Sequence, residues 1–85
     1  MGDAKGSMSI EARLSTVVIR ALRIDPSLYR EDLTIGDVAE WDSIAHLTLI
    51  ATIEEVFNVR FSPDQMTELT NIEAIHQFLR TELRI

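Results

Sequence analysis

Hydrophobic and polar positions follow helical spacing in three long segments of the chain. In the first, apolar residues recur three or four positions apart from Ile10 to Leu22, as one face of an amphipathic helix requires. Ser9 precedes the pattern as a candidate N-cap. The sequence Asp25-Pro26 ends it, because proline lacks a backbone N–H and disfavours helical geometry in the residue before it. The pattern predicts a first helix over about residues 10–23.

The second periodic segment begins after Asp42 and is the longest. The apolar residues at helical spacing are Ile44, Leu47, Ile50, Ile53, Val56 and Phe57, with Leu49 and Ala51 widening the apolar surface. Asn58 tolerates left-handed backbone geometry and is expected to end the helix. The predicted helix therefore covers about residues 43–57. A helix with so much apolar circumference either lies centrally in the core or offers part of its surface to a partner.

Two further helices are predicted in the last third of the chain. A capping box at residues 62–65, with proline at the first helical position, predicts a short helix over about 63–69. Asn71 caps a last helix over about 72–83. Because no strand-like alternation is present, the predicted class is all-α: a four-helix bundle with three main helices, one short helix and a long first loop.

The long first loop, residues 25–41, has no sustained periodicity. Its scattered apolar residues are Leu28, Tyr29, Leu33, Ile35 and Val38. Structureless connections of more than about 12–15 residues are uncommon in compact domains and are usually functional or disordered. The apolar residues favour a packed loop. At the N-terminus, residues 1–7 are small and polar and are expected to form a flexible tail or an expression-tag scar, which leaves residues 8–85 as a single domain.

Composition excludes several classes of function. The net charge of −6 has the wrong sign for a protein that binds the phosphate backbone of nucleic acids. With no cysteine, the chain has no disulfide, no thiolate metal ligand and no catalytic thiol of its own. No apolar run approaches the 18 residues of a membrane span, and the N-terminus lacks a signal-peptide pattern. We therefore expect an acidic, cytoplasmic protein that neither spans a membrane nor binds nucleic acid.

Candidate chemistry lies at the start of the second helix. If Asp42 takes the cap position, its carboxylate accepts hydrogen bonds from the helix-start amides, and the Ser43 hydroxyl is free to face solvent. A phosphodiester on that oxygen would lie where the helix dipole favours negative charge. Asp42 could then help hold magnesium beside the phosphates during transfer. Aspartate and serine before a helix also commonly act only as a cap, so these two residues alone leave both interpretations open.

The histidines suggest two other arrangements. Asp42, Ser43 and His46 suggest a hydrolase, but there is no glycine-flanked nucleophile elbow and no apparent oxyanion hole. His46 is instead expected to be exposed or to contact a partner. His46 and His76 lie far apart in the sequence, with no cysteine and no adjacent carboxylate cluster, so no metal site is predicted.

The residues around Ser43 resemble the acyl carrier protein family. The resemblance rests on Trp41-Asp42-Ser43-Ile44, followed by Leu47, Ile50, Ile53, Glu54-Glu55, Phe57, Phe61, Thr70 and Ile72. In that family an Asp-Ser-Leu motif opens the second helix, and its serine carries phosphopantetheine. The resemblance covers about residues 10–83, and the family has the same three long helices, short third helix and long first loop.

The resemblance implies a carrier and not an enzyme. A phosphopantetheinyl transferase would move 4'-phosphopantetheine from coenzyme A to Ser43 with the help of magnesium. The thiol of this covalent cofactor would hold acyl groups as thioesters for acyl-transferring and chain-modifying enzymes of fatty-acid-like or polyketide-like biosynthesis. Partner enzymes would dock on the second helix of a monomer. The docking candidates are Trp41, Ile44, Leu49, Glu54 and Glu55.

The chain departs from the family pattern in three places. Ile44 replaces the usual leucine, which preserves side-chain volume. Trp41 stands where a small residue is common; we expect it in the core, with a lid or a docking anchor as alternatives. Ala45, His46 and Thr48 stand where fatty-acid-synthesis carriers commonly place acids. Docking would therefore rely more on apolar contact than on charge near the serine, which favours a dedicated carrier of a specialised pathway.

Two alternative functions stay open from the sequence. In the first, the chain is an unmodified acidic helical module, and Asp42 and Ser43 only cap a helix that binds a partner's groove. In the second, it is an aminoacyl or peptidyl carrier, which shares the arm and differs in cargo. Aspartate directly before the serine favours the acyl class, by resemblance.

Overall fold

The computed structural model describes residues 9–83, and α-helices make up most of them. The helices are α1 (Ile10–Leu22), α2 (Ser43–Phe57), α3 (Pro63–Glu68) and α4 (Ile72–Leu83). Among the described residues there is no β-strand, only an isolated bridge between Thr34 and Asn71. The predicted all-α bundle is confirmed, and each helix begins where the sequence predicts. The predicted tail at residues 1–7 lies outside the described residues.

Side chains cap the helix starts as the sequence indicates. Ser9 caps α1 through a hydrogen bond of 3.1 Å from the backbone N–H of Ala12 to its hydroxyl oxygen. Ser62 and Gln65 form a reciprocal capping box at the start of α3. Asn71 accepts the equivalent bond at the start of α4. These bonds satisfy N–H groups that have no partner within the helix.

Residues in the left-handed backbone conformation end α1 and α2. Arg23 has φ of 60° and Asn58 has φ of 58°, and the backbone N–H of each closes the last turn of its helix. Asn58 was predicted for this position. Arg23 was not, and α1 consequently ends one residue before the predicted boundary. α3 also ends one residue early, at Glu68. In both cases the cap geometry, rather than the apolar pattern, decides the last residue.

The core lies between α1, α2 and α4, and the long loop contributes to it. Its most deeply buried side chains are Leu14, Val18, Leu33, Trp41, Leu49, Ile50, Ile53, Ile72, Ile75 and Leu79. Burial of such side chains is the main source of stability in a domain of this size. Because Leu33 and Trp41 belong to the long loop, the expectation of a packed loop is confirmed.

Backbone bonds fix the second half of the long loop beside α4. The N–H of Ile35 donates to the carbonyl of Thr70 at 2.8 Å, and the N–H of Ile72 donates to the carbonyl of Leu33 at 2.9 Å. Gly36 has φ of 92°, a backbone conformation that is strained in residues with a side chain. Its N–H donates to the carbonyl of Trp41. The first half contains a short 3-10 helix, Pro26–Leu28, which the sequence pattern did not predict. Hydrogen bonds therefore hold the loop backbone in place where it leads into α2.

Only some of the apolar residues of α2 are buried. The buried residues are His46, Leu49, Ile50, Ile53 and Phe57. Ile44 and Leu47, which have the same helical spacing, are 76% and 60% exposed. Because α2 is apolar around most of its circumference, spacing alone does not determine which side turns inward. Despite this apolar character, neither α2 nor any other helix within residues 9–83 has the length and hydropathy needed to cross a membrane.

Candidate functional site

Asp42 caps α2 and leaves the next side chain free. Its Oδ1 accepts a hydrogen bond of 2.8 Å from the backbone N–H of Ala45. Ser43 is the first residue of the helix and is exposed. Since the carboxylate supplies the cap, the serine hydroxyl is not required for it. The result is an accessible hydroxyl at the positive end of a helix dipole.

A cleft of about 440 Å³ opens beside Ser43. Its walls include Ser43, His46 and Leu47 from α2, and Pro63, Met66 and Thr67 from α3. This volume lies within the range of about 300–1,000 Å³ that is usual for small-molecule sites. A flexible group attached at the start of α2 would have this cleft within reach. The sequence did not indicate the cleft, because its volume depends on how α3 packs against α2.

A buried polar pair lies directly behind the start of α2. Trp41 is completely buried, and its Nε1–H donates a hydrogen bond of 3.1 Å to Nδ1 of His46. Nε2 of His46 lies 2.8 Å from the backbone carbonyl of Met66 in α3. The expectation that His46 would be exposed or contact a partner is wrong, since its side chain is in the core. An imidazole can be buried there because both ring nitrogens have hydrogen-bond partners.

The same bonds count against the hydrolase arrangement of Asp42, Ser43 and His46. A serine hydrolase needs a histidine nitrogen that accepts the serine proton, and the aspartate must orient that histidine. Here Trp41 and Met66 occupy the two ring nitrogens. Asp42 is bonded to the backbone of α2 instead. The three residues are neighbours, but they are not connected as a triad.

Comparison with known proteins identifies the family. The sequence model of the family described as "phosphopantetheine attachment site" matches residues 12–79, which include all of α2 and α3. The chain belongs to the phosphopantetheine attachment site family. It is a phosphopantetheine carrier, and 4'-phosphopantetheine is its covalent cofactor, as the resemblance to acyl carrier proteins implied. A comparison with curated proteins found no match.

Two predicted partner contacts of the carrier lie in the core. Trp41 and Leu49 are each 0% exposed. A side chain without accessible surface cannot contact a partner in this fold, which corrects the expectation that they form part of the docking surface. Burial of Trp41 instead agrees with the expectation that it joins the core. Ile44, next to Ser43, is 76% exposed.

The two glutamates of the carrier's second helix differ in environment. Glu55 is exposed on the surface of α2. Glu54 is half-buried, and its Oε2 accepts a hydrogen bond of 2.9 Å from the backbone N–H of Phe61. Glu54 therefore connects α2 to the linker before α3, and Glu55 is the exposed member of the pair.

Exposed residues form a stripe along the outer side of α2. They are Ile44, Leu47, Ala51 and Glu55, spaced three or four residues apart, which places them on one side of the helix. We call these four residues the outer stripe. Leu47 was missed as a surface residue, although its position four residues after Ser43 places it on the same side as that hydroxyl. Exposed apolar residues grouped in this way are typical of interaction surfaces.

A second group of polar side chains joins α1, the long loop and α4. Glu11, Glu31 and His76 bring potential metal-ligand atoms within 4.8 Å of one another. Nδ1 of His76 lies 3.2 Å from Oε2 of Glu31, so these two side chains can pair without a metal. Burial, together with the negative charges of Glu31 and Glu11, raises the pKa of the nearby Tyr29 to about 12. The sequence analysis missed this group because its members come from three separate elements.

Proposed function

We propose that Ser43 is the attachment point of the phosphopantetheine arm, and that the arm presents acyl groups to partner enzymes as thioesters. The observation that carries the proposal is the cap: Asp42 bonds the backbone N–H of Ala45 and leaves the adjacent hydroxyl exposed. Ser43 also lies within the residues that match the family and beside the cleft between α2 and α3.

Attachment is a group transfer from coenzyme A. The Ser43 oxygen forms a bond to the phosphorus that bears pantetheine, and the bond from that phosphorus to the adenosine bisphosphate leaving group breaks. The hydroxyl proton passes to a base of the transferase. The phosphodiester keeps a negative charge beside the free N–H groups at the start of α2. The carboxylate of Asp42 and the phosphate oxygens together suit a magnesium ion during transfer.

The chain acts as a carrier and leaves catalysis to its partners. The bound arm supplies a thiol for thioester formation, which the chain, with no cysteine, cannot supply itself. His46 is engaged by Trp41 and Met66 and offers no base beside Ser43. We infer that a phosphopantetheinyl transferase, acyl-transferring enzymes and chain-modifying enzymes act in turn on a monomeric, cytoplasmic carrier.

Partner enzymes dock on the outer stripe, beginning at Ile44. This surface is apolar near Ser43 and acidic only at its far end, at Glu55. Apolar contact therefore contributes more near the attachment point than charge does. This distribution supports a role in a specialised, polyketide-like pathway rather than in general fatty-acid synthesis. Equal docking by a housekeeping ketosynthase and by a pathway-specific partner, measured side by side, would contradict that assignment.

Intact mass measurement tests the attachment. The protein is incubated with coenzyme A, magnesium and a broad-range phosphopantetheinyl transferase. We expect one added phosphopantetheine on the parent protein and on the control variant Ser27→Ala, which removes another exposed serine hydroxyl. We expect none on Ser43→Ala. Addition that persists in Ser43→Ala would place the arm elsewhere.

Cargo class is tested on the loaded carrier. An aminoacyl or peptidyl carrier has the same arm, so the two functions differ only in which enzymes load the thiol. The loaded protein is offered an acyl-transferring enzyme and, separately, an enzyme that activates amino acids. We expect a thioester with the first enzyme only. Loading by the second alone would reassign the carrier to the aminoacyl class.

A further inference from the structure

Three groups form a continuous hydrogen-bonded connection from the loop before α2 to α3. The indole N–H of Trp41 donates to Nδ1 of His46, and Nε2 of His46 contacts the carbonyl oxygen of Met66, at 3.1 and 2.8 Å. We call this connection the clamp. Trp41 is 0% exposed and His46 is 6% exposed, so the bond between them is shielded from water, and the bond to Met66 is partly shielded. Shielded hydrogen bonds are costly to break without replacement.

The partners of His46 determine its tautomer. An indole nitrogen can only donate, so Nδ1 of His46 must be unprotonated to accept from Trp41. A carbonyl oxygen can only accept, so Nε2 must carry the proton that it donates to Met66. The imidazole in the clamp is therefore neutral and in the Nε2–H form. No other single tautomer or charge state satisfies both partners.

α3 is held beyond its ends, through Phe61 before it and Thr70 after it, but little within the helix itself fixes its position. It contains six residues, and none of them is buried. A helix of this length is not stable by itself in water. The capping box of Ser62 and Gln65 organises its first turn but does not attach it to α2. Met66 is half-buried against the core, and its carbonyl accepts the bond from His46.

The clamp crosses the cleft that begins at Ser43. His46 and Met66 both line this cleft, one from α2 and the other from α3. The bond between those two residues connects the two helices directly at this point. An apolar side chain at position 46 could fill the same volume, but it could not bond the carbonyl of α3. The directional bond is therefore what the histidine adds.

We propose that His46 is a positioning residue that holds α3 against the start of α2 and thereby limits the width of the cleft beside Ser43. As a consequence that rests on the proposed function, it restricts how far cargo on the arm can enter between the two helices. Trp41 holds the imidazole in the required tautomer and orientation. Trp41 and His46, two of the residues that depart from the family pattern next to the serine, thus act together.

Hydrogen exchange in the protein without the arm tests the positioning step. His46→Leu removes both hydrogen bonds, whereas His46→Gln offers one acceptor and one donor and is the matched control. We expect exchange of the α3 amides to rise about tenfold in His46→Leu and to return to within about threefold of the parent in His46→Gln. Amides in α1 and α4 should change much less. An unchanged α3, or an equal rise in all helices, would overturn the proposal.

A second variant covers the case in which His46→Leu does not fold. Trp41→Phe keeps an aromatic ring in the core and removes only the indole donor. We expect faster α3 exchange by about fivefold, equivalent to one hydrogen bond of about 1 kcal/mol. Nitrogen NMR should show unprotonated Nδ1 and protonated Nε2 in the parent protein. Finding the opposite tautomer there, or unchanged α3 exchange in Trp41→Phe, would also overturn the proposal.

The consequence for cargo is measured separately. The parent protein and the two His46 variants are loaded with a short acyl group through the arm, and thioester hydrolysis is followed by intact mass. We expect hydrolysis several-fold faster in His46→Leu than in His46→Gln, because a looser α3 admits water to the cleft. Equal hydrolysis rates in the two variants would show that the clamp positions α3 only in the carrier without cargo. They would overturn its role in cargo entry. Failure to load any variant would count against Ser43 as the attachment point and leave the exchange result unaffected.

Discussion

The carboxylate of Glu54 accepts a hydrogen bond of 2.9 Å from the backbone N–H of Phe61. This bond connects the last turn of α2 to the linker that leads into α3. Phe61 is itself buried and stacks on Phe78 of α4, with ring centroids 4.5 Å apart. Glu54 is therefore part of the packing that holds the linker, although its neighbour Glu55 is on the surface.

The two adjacent glutamates should have separable effects on stability. We expect Glu54→Ala to lower the free energy of unfolding by about 1–3 kcal/mol, because it removes a charged acceptor and leaves a backbone N–H without its partner. We expect Glu55→Ala to change it by no more than about 0.5 kcal/mol. Urea denaturation measures both. Glu54→Gln keeps an acceptor and should recover part of the loss; equal effects of the two alanine variants would refute the distinction.

Asp42 should have two separable roles: it caps α2, which stabilises the fold, and its negative charge assists the transfer of phosphopantetheine to Ser43. Asparagine caps helices about as well as aspartate, so Asp42→Asn should change stability little, whereas Asp42→Ala should cost about 1 kcal/mol. Both variants lack the carboxylate that suits magnesium, and we expect both to slow the transfer of phosphopantetheine. Denaturation and initial loading rates give the two quantities. A loading rate in Asp42→Asn equal to that of the parent would restrict Asp42 to capping.

Ile44 and Leu49 provide a matched pair for docking. Ile44 is 76% exposed and Leu49 is 0% exposed. Leu49→Ala should destabilise the fold by about 2–5 kcal/mol through lost burial and a cavity. Ile44→Ala should leave stability within about 0.5 kcal/mol and weaken binding of the phosphopantetheinyl transferase or an acyl-transferring enzyme. The check is binding measured at equal concentrations of folded protein; unchanged binding in Ile44→Ala would remove Ile44 from the docking surface.

Tyr29 should titrate at unusually high pH. Burial and the charges of Glu31 and Glu11 raise its pKa from 10.0 to about 12 in the folded protein. A group whose pKa is higher in the folded state stabilises the fold below its unfolded pKa, so this contribution is complete below pH 10 and is lost between about pH 10 and pH 12. Because the chain has one tyrosine, ultraviolet absorption of tyrosinate reports this pKa directly.

Charge removal tests the cause of the Tyr29 pKa. We expect Glu31→Gln to lower the pKa of Tyr29 more than Glu11→Gln does, since Glu31 makes the larger charge contribution. Both variants should retain part of the elevation, because burial is its largest cause. A pKa that does not change in either variant would show that charge has no part in it.

Element positions were predictable because local signals determine them. The caps at Ser9, Ser62 and Asn71 and the apolar periods fixed the start of every helix, since a cap acts on N–H groups within the next turn. The motif Asp42-Ser43 gave the cap and the exposed hydroxyl for the same reason. The short 3-10 helix had no such periodic signal.

The sequence by itself determined the four helices, the serine that follows the Asp42 cap and, through resemblance, the family. The tertiary structure decided the rotation of α2, because that helix is apolar on nearly every side and only its packing against α1 and the rest of the core selects which side is buried. It also decided that His46 is a core residue, since a polar side chain is acceptable there only when partners satisfy it, here nearby Trp41 and the carbonyl of Met66, which lies 20 residues further along the chain. Such long-range pairing leaves no trace in spacing along the chain.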